Sequence, residues 1–134
     1  VKDIDPKLIE AYRESIITVY LEDGEYRFST KFKDSILPME LEPCAWVVTA
    51  CNPRSVRQKD EENILLQDKL AAVLDGVPGA EVFPALGSSE SGDWSEPSFV
   101  VVGIAPEELA MIARLFEQNA VYRIDGDGCE VVFV

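Results

Sequence analysis

The sequence predicts an α+β fold: a ferredoxin-like split β-α-β-β-α-β sandwich with an added N-terminal helix and hairpin, a C-terminal strand and a mostly antiparallel sheet. Three observations carry that expectation. From Ala45 to Asp125, apolar strand-like runs and amphipathic stretches alternate in the order β-α-β-β-α-β. Two turn signals, Asp23-Gly24 and Asp125-Gly126-Asp127-Gly128, read as hairpins and favour antiparallel neighbours. The helices are too few for a doubly wound parallel sheet. With 134 residues, 47% of them hydrophobic, the chain is long and apolar enough to bury a core, and residues 1–134 read as a single domain.

Each element has a local reason. Asp5-Pro6 is an N-cap followed by proline at the first helical position, so a short helix is expected over Pro6 to Glu14. Ile16, Ile17, Val19, Tyr20 and Leu21 form a β-rich run, Asp23-Gly24 turns it, and Tyr26-Arg27-Phe28-Ser29 returns. Lys31 to Glu42 reads as a connector bounded by Pro38 and Pro43. Ala45 to Ala50 is a continuous apolar run, as for a strand buried on both faces, and Asn52-Pro53 breaks it. Asp60 is placed as N-cap of the next helix, Leu66, Leu70, Val73 and Leu74 form its apolar stripe, and Gly76 ends it.

A second buried strand is expected over Ala80 to Leu86, a polar loop over Gly87 to Trp94, and a third strand over Ser98 to Gly103. Pro106-Glu107-Glu108 opens a helix whose Leu109, Ile112, Ala113 and Phe116 fall at i, i+3, i+4 and i+7, with Asn119 as left-handed C-cap. Ala120 to Asp125 and Cys129 to Val134 are the last two strands.

Composition excludes several function classes. There are 12 Lys+Arg against 25 Asp+Glu, a net charge of −13, and no histidine. A Ser-His-Asp triad, a Cys-His pair and His-ligated zinc or haem are therefore ruled out. Phosphates would be repelled, so neither nucleic acid nor a membrane surface is an expected partner. Cys44, Cys51 and Cys129 are odd in number and lack a C-x-x-C pattern, which fits reduced thiols in a cytoplasmic protein. Neither a signal peptide nor a membrane-spanning run is visible. No metal site or cofactor is expected: the Asp125 to Gly128 stretch lacks the spacing of a calcium loop, and no phosphate-binding Gly-x-x-x-x-Gly-Lys pattern occurs.

The predicted topology brings four polar segments to one end of the sheet: Cys51 to Lys59, the amino end of the first long helix, Gly87 to Glu96, and Gln118-Asn119. The first group of candidates is Thr49, Asn52, Arg54, Ser55, Arg57 and Asn63. A helix amino end attracts anions, and Arg54 can grip a carboxylate or phosphate through two bonds. Asn63 lies at i−3 and i−7 from Leu66 and Leu70, so it points toward the core and needs partners. A tethering role for Asn63, holding the Asn52-Pro53 loop, stands beside ligand binding. The second group is Trp94 and Glu96. A carboxylate beside an indole gains a raised pKa by desolvation and can act as acid or base; a plainer role is an ion pair with Arg54 or Arg57, with Trp94 covering the core. Gln118 has no evident structural task. Cys51 has no basic neighbour to activate it except Arg54.

Trp46-Val47-Val48-Thr49-Ala50-Cys51-Asn52-Pro53, then Glu61-Glu62-Asn63 with Leu70, then Trp94-Ser95-Glu96-Pro97-Ser98-Phe99, Gly103-Ile104 and Phe116-Glu117-Gln118-Asn119-Ala120-Val121, form an ordered motif set. Over roughly Ile16 to Val121 the chain resembles a bacterial family catalogued as domain of unknown function 3293. Many members of that family have Trp where this chain has Cys51, which argues against Cys51 as an essential nucleophile. The resemblance brings no activity with it. It implies that Asn52, Asn63, Glu96 and Gln118 are motif positions.

Three functions follow as expectations. The first is a binding or regulatory module holding a small anionic ligand through Asn52, Arg54, Asn63, Trp94, Glu96 and Gln118; it requires Arg54 and Asn63 to converge. The second is an enzyme with Glu96 as general acid or base, which requires Glu96 partly buried in a cleft. The third is a protein-interaction module, monomer or homodimer, using the terminal strand as an edge.

Overall fold

The computed structural model describes residues 4–32 and 35–134, so part of the expected connector lies outside the described residues. Among the described residues three α-helices, α1 (Pro6–Glu14), α2 (Asp60–Asp75) and α3 (Pro106–Leu115), accompany seven strands. The strands are β1 (Ile16–Leu21), β2 (Gly24–Phe28), β3 (Cys44–Val48), β4 (Glu81–Ser88), β5 (Ser95–Val102), β6 (Ala120–Asp125) and β7 (Gly128–Phe133). They form one sheet in the order β2-β1-β4-β5-β3-β6-β7, and every neighbouring pair is antiparallel. The protein is therefore α+β with a mostly antiparallel sheet, and β2 and β7 are its edges.

Period-two alternation gives the sheet two buried faces. Trp46 and Val48 of β3 and Val101 of β5 pack against Leu70 and Leu74 of α2 and Leu109, Ile112 and Ala113 of α3. Ala45 and Val47 of β3, with Val100 and Val102 of β5, face the other way, toward Ile17, Val19, Phe28 and the connector's Leu41. This second face explains why the β3 run is apolar at consecutive positions. Leu41, Leu70, Leu74 and Leu109 are all fully buried or nearly so, each contributing roughly 1.5–3 kcal/mol. By contrast α1 buries no residue, and its cap is Asp5, whose carboxylate accepts from the Lys7 N–H at 2.9 Å.

Several boundaries differ from expectation. β4 runs on to Ser88 and β5 begins at Ser95, so the loop between them is shorter than Gly87 to Trp94. Pro84 and Pro97 lie inside these strands because each sits where its strand has only one neighbour: β1 pairs with β4 no further than Ala85, and β3 pairs with β5 only over Phe99 to Val101. Lys59, not Asp60, is the N-cap of α2; Asp60, Glu61 and Glu62 fill its first turn. The left-handed residue after α3 is Glu117 (φ 56), not Asn119. The Glu117 N–H bonds to Arg114 O and the Gln118 N–H to Ala113 O, the two bonds of a Schellman cap. Finally, the first hairpin turns at Glu22-Asp23, since Gly24 already pairs with Leu21.

Candidate functional site

β3 ends at Val48, opposite Phe99, whereas β5 extends back to Ser95, so the four residues Ser95 to Ser98 have no partner on β3. Beyond β3 the chain therefore leaves β5, and a cleft of about 880 Å³ opens between residues 51–58, the first half of α2 and the start of β5. The Thr49 hydroxyl ties the chain just past β3 to β5 by donating to Pro97 O at 2.8 Å.

Asn52 organises the outer wall. It adopts the left-handed conformation (φ 49, ψ 63), which Asn tolerates better than most residues. Its N–H donates to Asn63 Oδ1 at 2.9 Å, and its Oδ1 accepts from Asn63 Nδ2 at 2.9 Å and from the Gln58 N–H at 2.9 Å. Its Nδ2 donates to Glu96 Oε2 at 3.0 Å. Asn63 is thus the tether of the Asn52-Pro53 loop. Gln118, buried and set by the Schellman cap, donates from Nε2 to Cys51 O at 3.0 Å and Phe116 O at 3.3 Å. Asn52, Asn63, Trp94, Glu96 and Gln118 all line the cleft.

Arg54 does not line it. Its N–H donates to Glu117 O at 2.7 Å, and its guanidinium pairs with Glu117 Oε1 at 2.7 Å. That pair is open to water, with side chains 68% and 48% exposed. The ion pair expected between Glu96 and Arg54 or Arg57 is not formed; Asn52 takes its place because its left-handed backbone turns the amide toward β5. Trp94 is 41% exposed and stands at the cleft rather than sealing the core.

Burial raises the Glu96 carboxyl pKa, and the Asn52 hydrogen bond only partly opposes this. The Cys51 thiol is also pushed up, first by burial and further by the charge of Glu96, while the Thr49 hydroxyl opposes the shift. A thiolate at Cys51 is thus disfavoured.

Two contributors escaped the sequence reading. Tyr12, on α1, meets Ser55 Oγ at 2.5 Å, and Asn119 Nδ2 donates to both Tyr12 OH (3.3 Å) and Ser55 Oγ (3.2 Å). Nothing in the α1 sequence signals this. Gln67 accepts the Ala50 N–H on Oε1 at 3.0 Å. Its signal was present: Asn63, Gln67, Leu70 and Leu74 fall at i, i+4, i+7 and i+11, so an amide occupies a core-facing position.

The family described as "Protein of unknown function (DUF3293)" matches residues 48–121. The chain belongs to this family. The matched segment begins at the last residue of β3 and ends in β6, so it holds Asn52, Asn63, Trp94, Glu96 and Gln118, while α1 lies outside it. No curated protein and no solved structure matches the chain. Among the described residues no helix is long and apolar enough to cross a membrane.

Proposed function

We propose that the chain is a small-molecule-binding module whose site is the cleft beyond the end of β3. The observation that carries this reading is the convergence of Asn52, Asn63, Trp94, Glu96 and Gln118, from four separate segments, on one cleft of about 880 Å³. That volume lies in the usual range for ligand sites. The charge of the lining argues for a neutral or cationic ligand in place of the anionic one expected from the sequence. One guanidinium, Arg57, faces four carboxyl groups, Asp60, Asp68, Asp93 and Glu96. Arg54 is turned to Glu117, and Asp60 occupies the first turn of α2, where an anion would have to sit. The strand order β4-β5-β3-β6, joined through α2 and α3, supports a ferredoxin-like split sandwich as the inner unit. Three free cysteines support a reducing, cytoplasmic setting.

The test is a thermal-shift screen of wild type, Glu96→Gln and Arg57→Ala against amines, amides, carboxylates, phosphates and nucleotides. A ligand at 100 times its Kd stabilises by about 2.7 kcal/mol. A shift with amines or amides that Glu96→Gln loses supports the reading. A shift with anions alone, lost in Arg57→Ala, reverses the charge assignment, and no shift with any class removes the reading.

A second reading has its own observation. Glu96 is half-buried in the cleft with a raised pKa and one oxygen fixed by Asn52, as a general acid or base requires. Hydrolysis of p-nitrophenyl acetate and chromogenic amides, followed across pH, tests it: turnover that titrates with one group and is lost in Glu96→Gln is the expected result. Equal rates in both proteins would end it.

A further inference from the structure

Gln67 has one satisfied end and one unsatisfied end. It is only 9% exposed, and its Nε2 has no hydrogen-bond partner among the described residues. A buried donor left without an acceptor forfeits the hydrogen bond it would make to water and destabilises the fold. Turning the amide over does not help. Oε1 accepts the Ala50 N–H at 3.0 Å and lies 3.4 Å from the Thr49 hydroxyl, so a flip would set two N–H donors against each other. The orientation is therefore fixed by the backbone of the residue just past β3. Gln67 lies one turn beyond Asn63 on α2, and both residues line the cleft, with Gln67 Nε2 itself buried just behind the wall, so that a ligand reaches it when the wall gives way. The two amides differ: Asn63 has both polar atoms engaged by Asn52, whereas Gln67 retains an unmet donor.

We propose that Gln67 Nε2 is the donor for a neutral carbonyl oxygen of the ligand, and that the ligand is an amide- or ureido-bearing small molecule. This rests on the cleft being a ligand site, as argued above. A carbonyl oxygen is the acceptor that an amide N–H pairs with most readily. A carboxylate or phosphate oxygen would meet the surplus of carboxyl groups in the lining. Glu96 supplies the complementary group: Oε2 is held by Asn52, and its other oxygen has no hydrogen bond among the described residues, so it accepts an N–H. An amide or urea carries both halves, a carbonyl for Gln67 and an N–H for Glu96. Trp94 adds a flat apolar face at the same cleft.

The experiment uses the full chain, labelled with nitrogen-15, and follows the assigned side-chain amide signals of Gln67, Asn52 and Asn63. Acetamide, methylurea, acetate and inorganic phosphate are titrated separately. Saturable shifts of the Gln67 amide with acetamide and methylurea, absent with acetate and phosphate, are expected. Gln67→Glu keeps an oxygen for the Ala50 N–H and removes the donor, so it weakens the amide probes by about tenfold or more. If the amide probes move Asn52 and Asn63 but leave Gln67 still, and Gln67→Glu binds them equally well, the Gln67 assignment is overturned while the cleft remains a ligand site. If acetate or phosphate moves Gln67 instead, the neutral class is overturned. If no probe moves any of the three, both this assignment and the cleft reading fail. The wild-type Gln67 signal decides between these outcomes even if Gln67→Glu does not fold.

Discussion

The two ends of the sheet solve the same backbone problem differently. At the end where β1 turns into β2, α2 gives way to β4, β5 to α3 and β6 to β7, the left-handed positions are Gly24, Gly79, Gly103 and Gly128. At the cleft end they are Asn52, Arg54, Ser55 and Glu117, and Gly92 is the sole glycine among them. Glycine reaches positive φ without a Cβ penalty, whereas other residues there incur roughly 1–2 kcal/mol. The cleft end retains that strain because the side chains bind one another: Asn52 to Asn63 and Glu96, Arg54 to Glu117, Ser55 to Tyr12 and Asn119. Strain of this kind gathers at functional sites, where surrounding contacts over-determine it. The lesson is that one end is built for turning and the other for holding side chains in place.

The largest effect should break the glycine end. A Cβ on Gly103 (φ 84) would lie 2.8 Å from Gly79 O, a backbone atom that cannot swing away. Gly103→Ala is expected to lose about 2–4 kcal/mol, from the clash and the left-handed strain together. Urea unfolding measures it, and a loss under 1 kcal/mol, as an order of magnitude, would show that the two loops separate easily. At the cleft end, Asn63→Ala removes both bonds to Asn52 and leaves a backbone N–H and an amide oxygen short of partners. The expected loss is about 1–3 kcal/mol. Hydrogen exchange at the Asn52 amide should rise in that variant while exchange in β6 stays as in wild type.

The same contrast explains what could be read from the sequence. β1, β6, α1 and the start of α3 were legible because their periodicity or turn chemistry is local, and their ends match the structure, whereas the α3 cap falls two residues before Asn119, at Glu117. The end of β4 was hidden by Gly87 and Ser88, which read as loop residues, and the start of β5 by Pro97, whose tolerance depends on the neighbouring strand β3 having already stopped. That is a tertiary fact with no local trace. Asn52, Asn63, Glu96 and Gln118 stood out as polar residues at strand and helix ends, and the order of elements gathers them. Arg54 stood out equally well as a cation, yet its direction depends on a left-handed backbone that only Glu117 and the α3 cap explain. Charge was legible in type and illegible in aim.

A subtler effect appears in pH dependence. Burial raises the pKa of Glu96 above the ordinary glutamate value, so the folded chain holds this proton to higher pH than the unfolded chain. The corresponding stability is present below the unfolded pKa, near 4.3 as a rough reference, and is lost as pH rises through the folded value. Glu96→Gln abolishes that loss while preserving an oxygen for Asn52 Nδ2. Denaturation midpoints of the two proteins should therefore diverge in favour of Glu96→Gln as pH rises through the mildly acidic range. Parallel curves would mean that Glu96 is better hydrated than its place beside Asn52 implies.

The smallest expected effect has the opposite sign and sharpens the comparison most. Glu117 stands at the C′ position of the α3 cap with φ 56, the position at which glycine is the usual residue. Glu117→Gly relieves left-handed strain of roughly 1 kcal/mol. It loses the side-chain pair with Arg54, but an ion pair this exposed is worth about 0–1 kcal/mol. It keeps the backbone bond from the Arg54 N–H to residue 117 O. The net change should lie between neutral and a gain of about 1 kcal/mol, whereas Glu117→Ala keeps the strain, loses the pair and should fall below wild type. Thermal unfolding of the two variants side by side reads the difference. A Gly variant less stable than the Ala variant would mean that the backbone at 117 is not strained, and the division of the sheet into a turning end and a holding end would lose its energetic basis.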